Sequence, residues 1–352
     1  MSTDHLKLTA YFGERQRHRD GFVSDELLAQ YANVDVATSV LIRGITSFGP
    51  RHELRTDETL SMSEDPPVVV AAVDTHAKIT ALAEQAVRLV PRGLVTVERA
   101  RLLTHDVGTP VPHETVKLTV YLGRRPSGAL EYRAVCTILQ RHGFAGATAF
   151  LGVDGTAHGQ RHRARFFSHN ADVPMMIVAI GTGDQARAAL DELDGLLQRP
   201  LVTIERAQLC KRAGELLARP AALPPTDAQG RPLWQKLMIH TAESALHDGA
   251  PIHRALVRQL MRSGTAGATV LRGVWGFTGA EAPHGDKLFR LGRQVPVTTI
   301  VVDRPERISA AFEVVDALTS EHGLVSAEMV PAAVIVDGGA RHGSTELAQH
   351  SY

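Results

Sequence analysis

The sequence predicts an α+β protein built from three tandem copies of one βαββαβ unit. The strand-like segment LKLTAYFG (6–13) returns as VKLTVYLG (116–123), and LVTVERARL (94–102) returns as LVTIERAQL (201–209). A third, more divergent copy begins at QKLMIHTA (235–242). Self-similarity of this kind indicates a chain assembled from repeated supersecondary units.

These repeats divide the chain into units at 6–103, 116–210 and 235–335. Linkers at 104–115 and 211–234 contain Pro and Gly and join the units. The tail at 336–352 shows no apolar periodicity, and it is therefore expected to be disordered.

The first unit shows each element in order. Apolar residues alternate with polar ones over 6–13, as in a half-buried strand, and the apolar stripe within 22–32 predicts a short amphipathic helix. The remaining predicted elements are a strand at 39–42, a loop at 45–58, a strand at 68–73, a helix capped by Thr75 and a strand at 94–97. This order is the split βαβ pattern of ferredoxin-like sandwiches, in which helices cover one face of the sheet.

The same pattern places helices at 132–141 and 252–262 in the later units, and Pro305 in the first turn of another helix. The sheet face without helices is expected to be an assembly surface. We therefore predict a monomer that closes into a pseudo-threefold ring. Lys7, Lys117 and Lys236 are expected on the inward faces at equivalent depth, with exposure to solvent at the rim as the alternative.

Composition excludes several classes of protein. Lys and Arg equal Asp and Glu at 38 each, so no global basic field favours nucleic acid or an anionic membrane. No apolar run approaches the ~20 residues of a membrane helix, and none resembles a signal peptide. Two cysteines outside any CxxC pair make a disulfide framework improbable. A cytoplasmic location is expected.

Four motifs together resemble the PII-like family known as domain of unknown function 190. They are the strand at 117–123, the segment GTAGATVLRG at 264–273, the pair Gly276-Phe277 and the pair Pro296-Val297. The resemblance implies ferredoxin-like subunits of the kind that trimerise and bind nucleotides between subunits in PII signalling proteins. The phosphate-binding turn of PII proteins has no counterpart here, since Pro91-Arg92-Gly93 occupies that place in the first unit.

The candidate ligand site lies in the loops after the second strand of each unit. Arg43 and Arg272 precede glycines and could clamp a phosphate or carboxylate, whereas the second copy has Leu151. Glycines in these loops permit close backbone approach, and the aromatic residues could stack on a base or anchor the loop. The predicted ligand-binding residues are Arg43, Gly44, Phe48, Gly49, Gly152, His162, Arg272, Gly273, Trp275, Gly276, Phe277 and His284.

No metal site, cofactor or catalytic residue is expected. The i,i+4 pair His158/His162 has no equivalent in the other units, and no nucleophile with its base repeats between units. A repeated acid follows the last strand of each unit, Glu98, Glu205 and Glu328, and it is interpreted as an edge-strand charge that limits aggregation.

Two functions remain open from the sequence. The first is a PII-like sensor that binds a small anionic metabolite, with an adenine nucleotide as one candidate, in clefts between units. The alternative is a ligand-free adaptor that docks on a partner protein such as a membrane transporter.

Overall fold

The protein is described here from a computed structural model. The structure describes residues 5–56, 65–104, 114–123, 131–157, 159–164, 173–197, 200–279, 282–285 and 295–350.

Each unit contains four main strands and two helices, as the sequence predicts. Unit 1 comprises β1 (His5–Gly13), β2 (Arg17–His18), β3 (Gly21–Phe22), α1 (Val23–Asn33), β4 (Thr38–Phe48), β5 (Arg55–Thr56), β6 (Pro67–Thr75), α2 (His76–Leu89) and β7 (Arg92–Leu102). Unit 2 comprises β8 (Thr115–Gly123), α3 (Glu131–Arg141), β9 (Gly146–Leu151), β10 (Asp154–Ala157), β11 (Gln160–Arg163), β12 (Pro174–Thr182), α4 (Gly183–Leu196) and β13 (Leu201–Arg206), followed by β14 (Gln208–Arg212) and β15 (Glu215–Leu216). Unit 3 comprises β16 (Trp234–Ala242), β17 (Leu246–His247), β18 (Ala250–Pro251), α5 (Ile252–Arg262), β19 (Ala268–Arg272), β20 (Trp275–Thr278), β21 (His284–Gly285), β22 (Pro296–Asp303), α6 (Pro305–Leu318) and β23 (Leu324–Val330), followed by β24 (Ala332–Asp337) and β25 (Ala340–Ser344).

The sheet of each unit is antiparallel and has its first strand at the centre. In unit 1 the order is β7–β1–β6–β4, and the equivalent strands of the other units pair in the same order. The buried side chains of α1 are Val23, Leu27, Leu28 and Tyr31, which form the stripe visible in the sequence. Each pair of helices covers one face of its own sheet with a separate apolar core.

The segment predicted as a loop at 45–58 is a strand over its first part. β4 continues past Arg43 to Phe48, and its second half pairs with β19 of unit 3. The equivalent pairings join β10 to β4 and β20 to β9. The loop prediction was wrong because the backbone groups of this segment find partners on the sheet edge of another unit, which a single-unit pattern cannot show.

The last strands also connect the units in cyclic order. The end of β7 pairs with β13, β14 pairs with β23, and β24 pairs with β7. Two expectations are therefore corrected: the tail at 336–352 is ordered over its described residues as the β24–β25 hairpin, and the linker at 211–234 begins inside a strand. Both segments supply the edge pairing that a last strand otherwise lacks.

The sheet faces without helices meet in a shared central core. Its buried apolar residues come from all three units and include Tyr11, Tyr121, Trp234, Met238 and Phe150. The expectation of an assembly surface on these faces is confirmed.

Candidate functional site at the junction of the three units

Six charged residues form one buried layer where the first and last strands of the units meet. Strand register places Lys7 opposite Glu98, Lys117 opposite Glu205, and Lys236 opposite Glu328. All six are at most 6% exposed, and Lys117 is fully buried. The prediction that the three lysines lie inward is confirmed.

The ion pairs of this layer cross from unit to unit. Lys7 lies 3.5 Å from Glu205 of unit 2, Lys117 donates to Glu328 of unit 3, and Lys236 donates to Glu98 of unit 1. Pairs within a unit add to these, with Lys117 2.6 Å from Glu205 and Lys236 3.1 Å from Glu328. Each unit thus supplies both a cation and an anion to another unit, so the layer is complete only when all three are present.

The three lysines are not equivalent electrostatically. Burial lowers the pKa of Lys117, but the charges of Glu205, Glu328 and Glu98 outweigh it, and the pKa lies well above the ordinary value. For Lys7 burial dominates the attraction of Glu205, and the pKa is lowered. Burial raises the pKa of Glu98, yet Lys236 and Lys117 hold it far below its usual range.

The interpretation of Glu98, Glu205 and Glu328 as exposed edge charges was therefore wrong. One carboxylate oxygen from each residue lies within 4.8 Å of the corresponding oxygens of the other two, and the three side chains are buried. A signal was present in the sequence: the acid holds one position in every copy and shares strand phase with the repeated lysine. Unpaired acids at inward positions would be costly, and pairing with the lysines removes that cost.

A cavity of about 500 Å³ opens on one side of this layer. The three glutamates are among the residues that line it, whereas none of the three lysines is. Exposed residues at its outer part include Arg99, Arg101, Arg206 and Glu114. The volume lies within the range typical of small-molecule sites, roughly 300–1,000 Å³. We call this cavity the axial pocket.

The tail forms part of the wall of the axial pocket. Gln349 and His350 line it, the Arg99 guanidinium donates to the carbonyl of Ala348 at 2.8 Å, and the backbone N–H of Gln349 donates to Asp227 at 2.8 Å. The tail therefore supplies part of the lining of the axial pocket.

Comparison with known proteins places this architecture in a family. The model of the family DUF190, described as "Uncharacterized ACR", matches residues 5–102, 115–209 and 234–332, which is nearly all of the chain outside its connecting segments. The chain belongs to the DUF190 family. The three tandem copies predicted from the repeats are confirmed.

One curated relative corresponds to a single unit of this DUF190 protein. The "UPF0166 protein" of Aquifex aeolicus (strain VF5) is 30% identical over 94 residues, which are 27% of this chain and 88% of the relative. Among solved structures, a crystal structure of aspartate kinase from Synechocystis matches at 12% identity and a TM-score of 0.25. That match covers 95% of this chain and 45% of the kinase chain, and it carries no information about function.

The Arg-Gly steps lie away from the axial pocket. Arg43 donates to Glu14 at 2.6 Å, and Arg272 donates to Glu243 at 2.6 Å. Both acids directly follow the first strand of their unit. These guanidiniums are thus occupied by carboxylates of their own unit in units 1 and 3.

The aromatic residues of the predicted site anchor one unit to another. Phe48 of unit 1 is buried in the core of unit 3, and Phe277 of unit 3 is buried in the core of unit 2. Trp275 packs at the edge of the unit 2 core beneath the guanidinium of Arg133, 4.2 Å from the ring centroid. The Phe48 and Phe277 rings are therefore not open for stacking on a base.

The predicted glycines serve close backbone approach, with one exception. A Cβ at Gly152 would lie 2.1 Å from the carbonyl oxygen of Pro174, and one at Gly276 would lie 2.2 Å from that of Ala147. Gly44 and Gly273 are also confined, with the nearest atoms at 2.9 and 2.6 Å. Gly49 has open space around it.

A narrow slot does lie beneath the predicted loop between units 1 and 3. Phe48, Gly49, Arg55, Gly93 and Gly267 are among the residues that line it. Its volume of about 70 Å³ is well below that of a typical ligand pocket.

The two predicted histidines lie on the outer strands of the crossing segments. His162 is part of β11, and His284 in β21 contacts the carbonyl oxygen of Ala282 at 3.1 Å. His158 lies outside the described residues.

The residues predicted as the ligand site lie at the boundaries between units. Sequence reasoning missed the carboxylates and arginines of the axial pocket.

Two further observations limit the chemistry of the described residues. Cys136 and Cys210 are buried, and burial raises the pKa of each thiol to about 12, so neither is primed as a nucleophile. No helix among the described residues is long and apolar enough to cross a membrane.

Proposed function

We propose that this DUF190 protein is a regulatory ligand-binding protein that takes a small anionic ligand in the axial pocket. The observation that carries the proposal is a cavity of about 500 Å³ with arginines from units 1 and 2 at its outer part. Guanidinium groups suit phosphate and carboxylate because they present two parallel N–H donors. Adenine nucleotides are one class of candidate.

The arrangement of the units supports this proposal. We infer that the chain is a single-chain counterpart of a PII-like trimer, a monomer with pseudo-threefold symmetry, because strand pairings and ion pairs link the units in cyclic order. A ligand held between units stabilises one arrangement of them over others. Such a ligand can therefore alter the outer surface that a partner protein contacts, which is the sense in which we propose regulation rather than catalysis.

The position of the ligand differs from the one that the sequence suggested. Arg101 has no charged partner among the described residues, and the exposed Arg206 is held by Glu114 at 2.9 Å. An anion can reach the Arg101 guanidinium directly, and it can displace Glu114 from the Arg206 guanidinium. At the Arg-Gly steps the same displacement would have to break the ion pairs of both Arg43 and Arg272.

The test is titration calorimetry of the purified chain with ATP, ADP, AMP, citrate and inorganic phosphate. Loss of each charge-assisted hydrogen bond weakens binding by about 1.5–3 kcal/mol, roughly 10- to 150-fold. We expect this loss in Arg101→Ala/Arg206→Ala, whereas the matched control Arg43→Ala/Arg272→Ala should bind like the wild type.

Three other results would count against the proposal. Loss of binding in the control alone would move the site to the Arg-Gly steps. Equal binding by both double variants would place it elsewhere. Failure of every anion to bind the wild type would favour the adaptor function.

A further inference from the structure

The axial pocket has chemistry of opposite sign at its two ends. Glu98, Glu205 and Glu328 line it at 2–5% exposure, and its exposed lining carries three arginines and one acid, Glu114, which pairs with Arg206. From this polarity we infer that the ligand is a small zwitterion whose ammonium group meets the glutamates while its anionic group meets the arginines. This inference rests on the proposed function, since it adds an amine to the anion proposed there.

The buried end has unused capacity to accept hydrogen bonds. Glu328 directs Oε2 to Lys117 and Lys236, but its Oε1 accepts no hydrogen bond from any described residue. Neither oxygen of Glu205 accepts a hydrogen bond of good geometry there, although Lys117 and Lys7 lie close enough for ion pairs. Buried carboxylate oxygens without donors are unfavourable, and an ammonium group carries three donors.

Lys7 is the least firmly paired cation of the layer. Its one ion pair is a long contact of 3.5 Å to Glu205, and burial lowers its pKa. A ligand ammonium would therefore add a donor where the layer holds its carboxylates least tightly. A divalent cation adds two charges beside Lys117 and Lys236, which makes it the poorer match.

The distance between the two ends limits the length of the ligand. Arg206 directly follows Glu205, whereas Arg101 lies three residues beyond Glu98 on β7. At roughly 3.3 Å per strand residue, the backbone positions are separated by about 3–10 Å. Because both offsets are odd, each arginine side chain leaves its strand on the face opposite the glutamate, so the charged groups lie farther apart than their backbones.

The experiment compares ligands that differ only in the amine, on the unaltered protein. Phosphoethanolamine is titrated against ethyl phosphate, and γ-aminobutyrate against butyrate, by calorimetry at neutral pH. An amine that gains a charge-assisted hydrogen bond should bind about 10-fold tighter or more than its partner. Glu328→Gln should abolish this discrimination, so that phosphoethanolamine and ethyl phosphate bind the variant with equal affinity.

The outcomes separate this inference from the proposed function. Equal affinity within each pair overturns the zwitterion inference and leaves anion binding intact. Binding of neither member, together with failure of the simple anions, overturns both. Stabilisation of the wild type by Mn²⁺ or Ca²⁺ that is lost in Glu328→Gln would instead identify the carboxylates as a metal site. Should Glu328→Gln fail to fold, the comparison on the wild type still decides.

Discussion

Removal of Lys117 tests whether the buried charge layer holds the three units together. Lys117 contacts Glu205, Glu328 and Glu98, whereas the one ion pair of Lys7 within the described part of the chain is that with Glu205 at 3.5 Å. Lys117→Met leaves three buried carboxylates with two lysines, and breaking a buried ion pair in this way costs about 3–5 kcal/mol. Lys7→Met removes a weakly paired, desolvated cation, and we expect a cost within about 1 kcal/mol.

Urea titration of the free energy of unfolding, followed by circular dichroism, measures both variants. A second substitution sharpens the test, because Glu205→Gln in the Lys117→Met background restores the balance of two lysines and two carboxylates. It should recover about 2 kcal/mol, whereas independent sites would add their costs. The reasoning is refuted if Lys117→Met costs no more than Lys7→Met, or if Glu205→Gln deepens the loss.

Three other predictions follow from single contacts. Burial lowers the pKa of His240 from 6.5 to about 4. The free energy of unfolding should therefore fall by about 3 kcal/mol as the pH drops from 6.5 to 4, because the unfolded chain takes up the proton first. In an acid titration of unfolding, His240→Gln should show a correspondingly smaller decrease in the free energy of unfolding over the same pH range. Gly152→Ala should cost about 1–3 kcal/mol because its Cβ meets a backbone oxygen, whereas Gly49→Ala, in open space, should stay within about 1 kcal/mol by thermal denaturation. Phe48→Ala should lower the free energy of unfolding in urea by about 3–5 kcal/mol. The control Phe22→Ala, at a side chain that is 43% exposed, should lower it by less than about 1 kcal/mol. Equal losses would contradict the role of Phe48 as an anchor between units.

Local pattern was enough to predict the elements within one unit. The α1 stripe was visible because every buried residue of that helix faces its own sheet, and a 3.6-residue period reports such burial. The lysines were also placed correctly, since strand alternation puts Lys7 on the face opposite the helix-covered Leu8.

The axial pocket could not be predicted from local pattern in the same way. Glu98 follows the predicted strand at 94–97, a position where an acid is more often exposed, and its partner Lys236 lies 138 residues away. The second half of β4 shows the same difficulty, because its partner strand belongs to unit 3. In each case the deciding interaction joins two units, and a period read within one unit carries no information about it.

Fusion of the units lets equivalent positions differ, which an assembly of identical chains cannot do. Lys is retained in all three first strands, but two positions further along the inward face the residues are Thr9, Thr119 and Met238. The Arg-Gly step shows a coordinated difference: the pairs Arg43–Glu14 and Arg272–Glu243 are both present, whereas unit 2 has Leu151 in place of the arginine.

The acid is absent from unit 2 as well, since Arg124 follows Gly123 where Glu14 follows Gly13. Loss of both partners together is what a structural ion pair requires, because a lone acid at that position would have no cation to meet. If the arginine bound an external anion instead, the acid after the first strand could be present in a unit whether or not that unit had the arginine. The Arg-Gly arginines therefore fit a role in bracing their own units, and the charge layer, kept intact in all three copies, is the feature on which the proposed binding site rests.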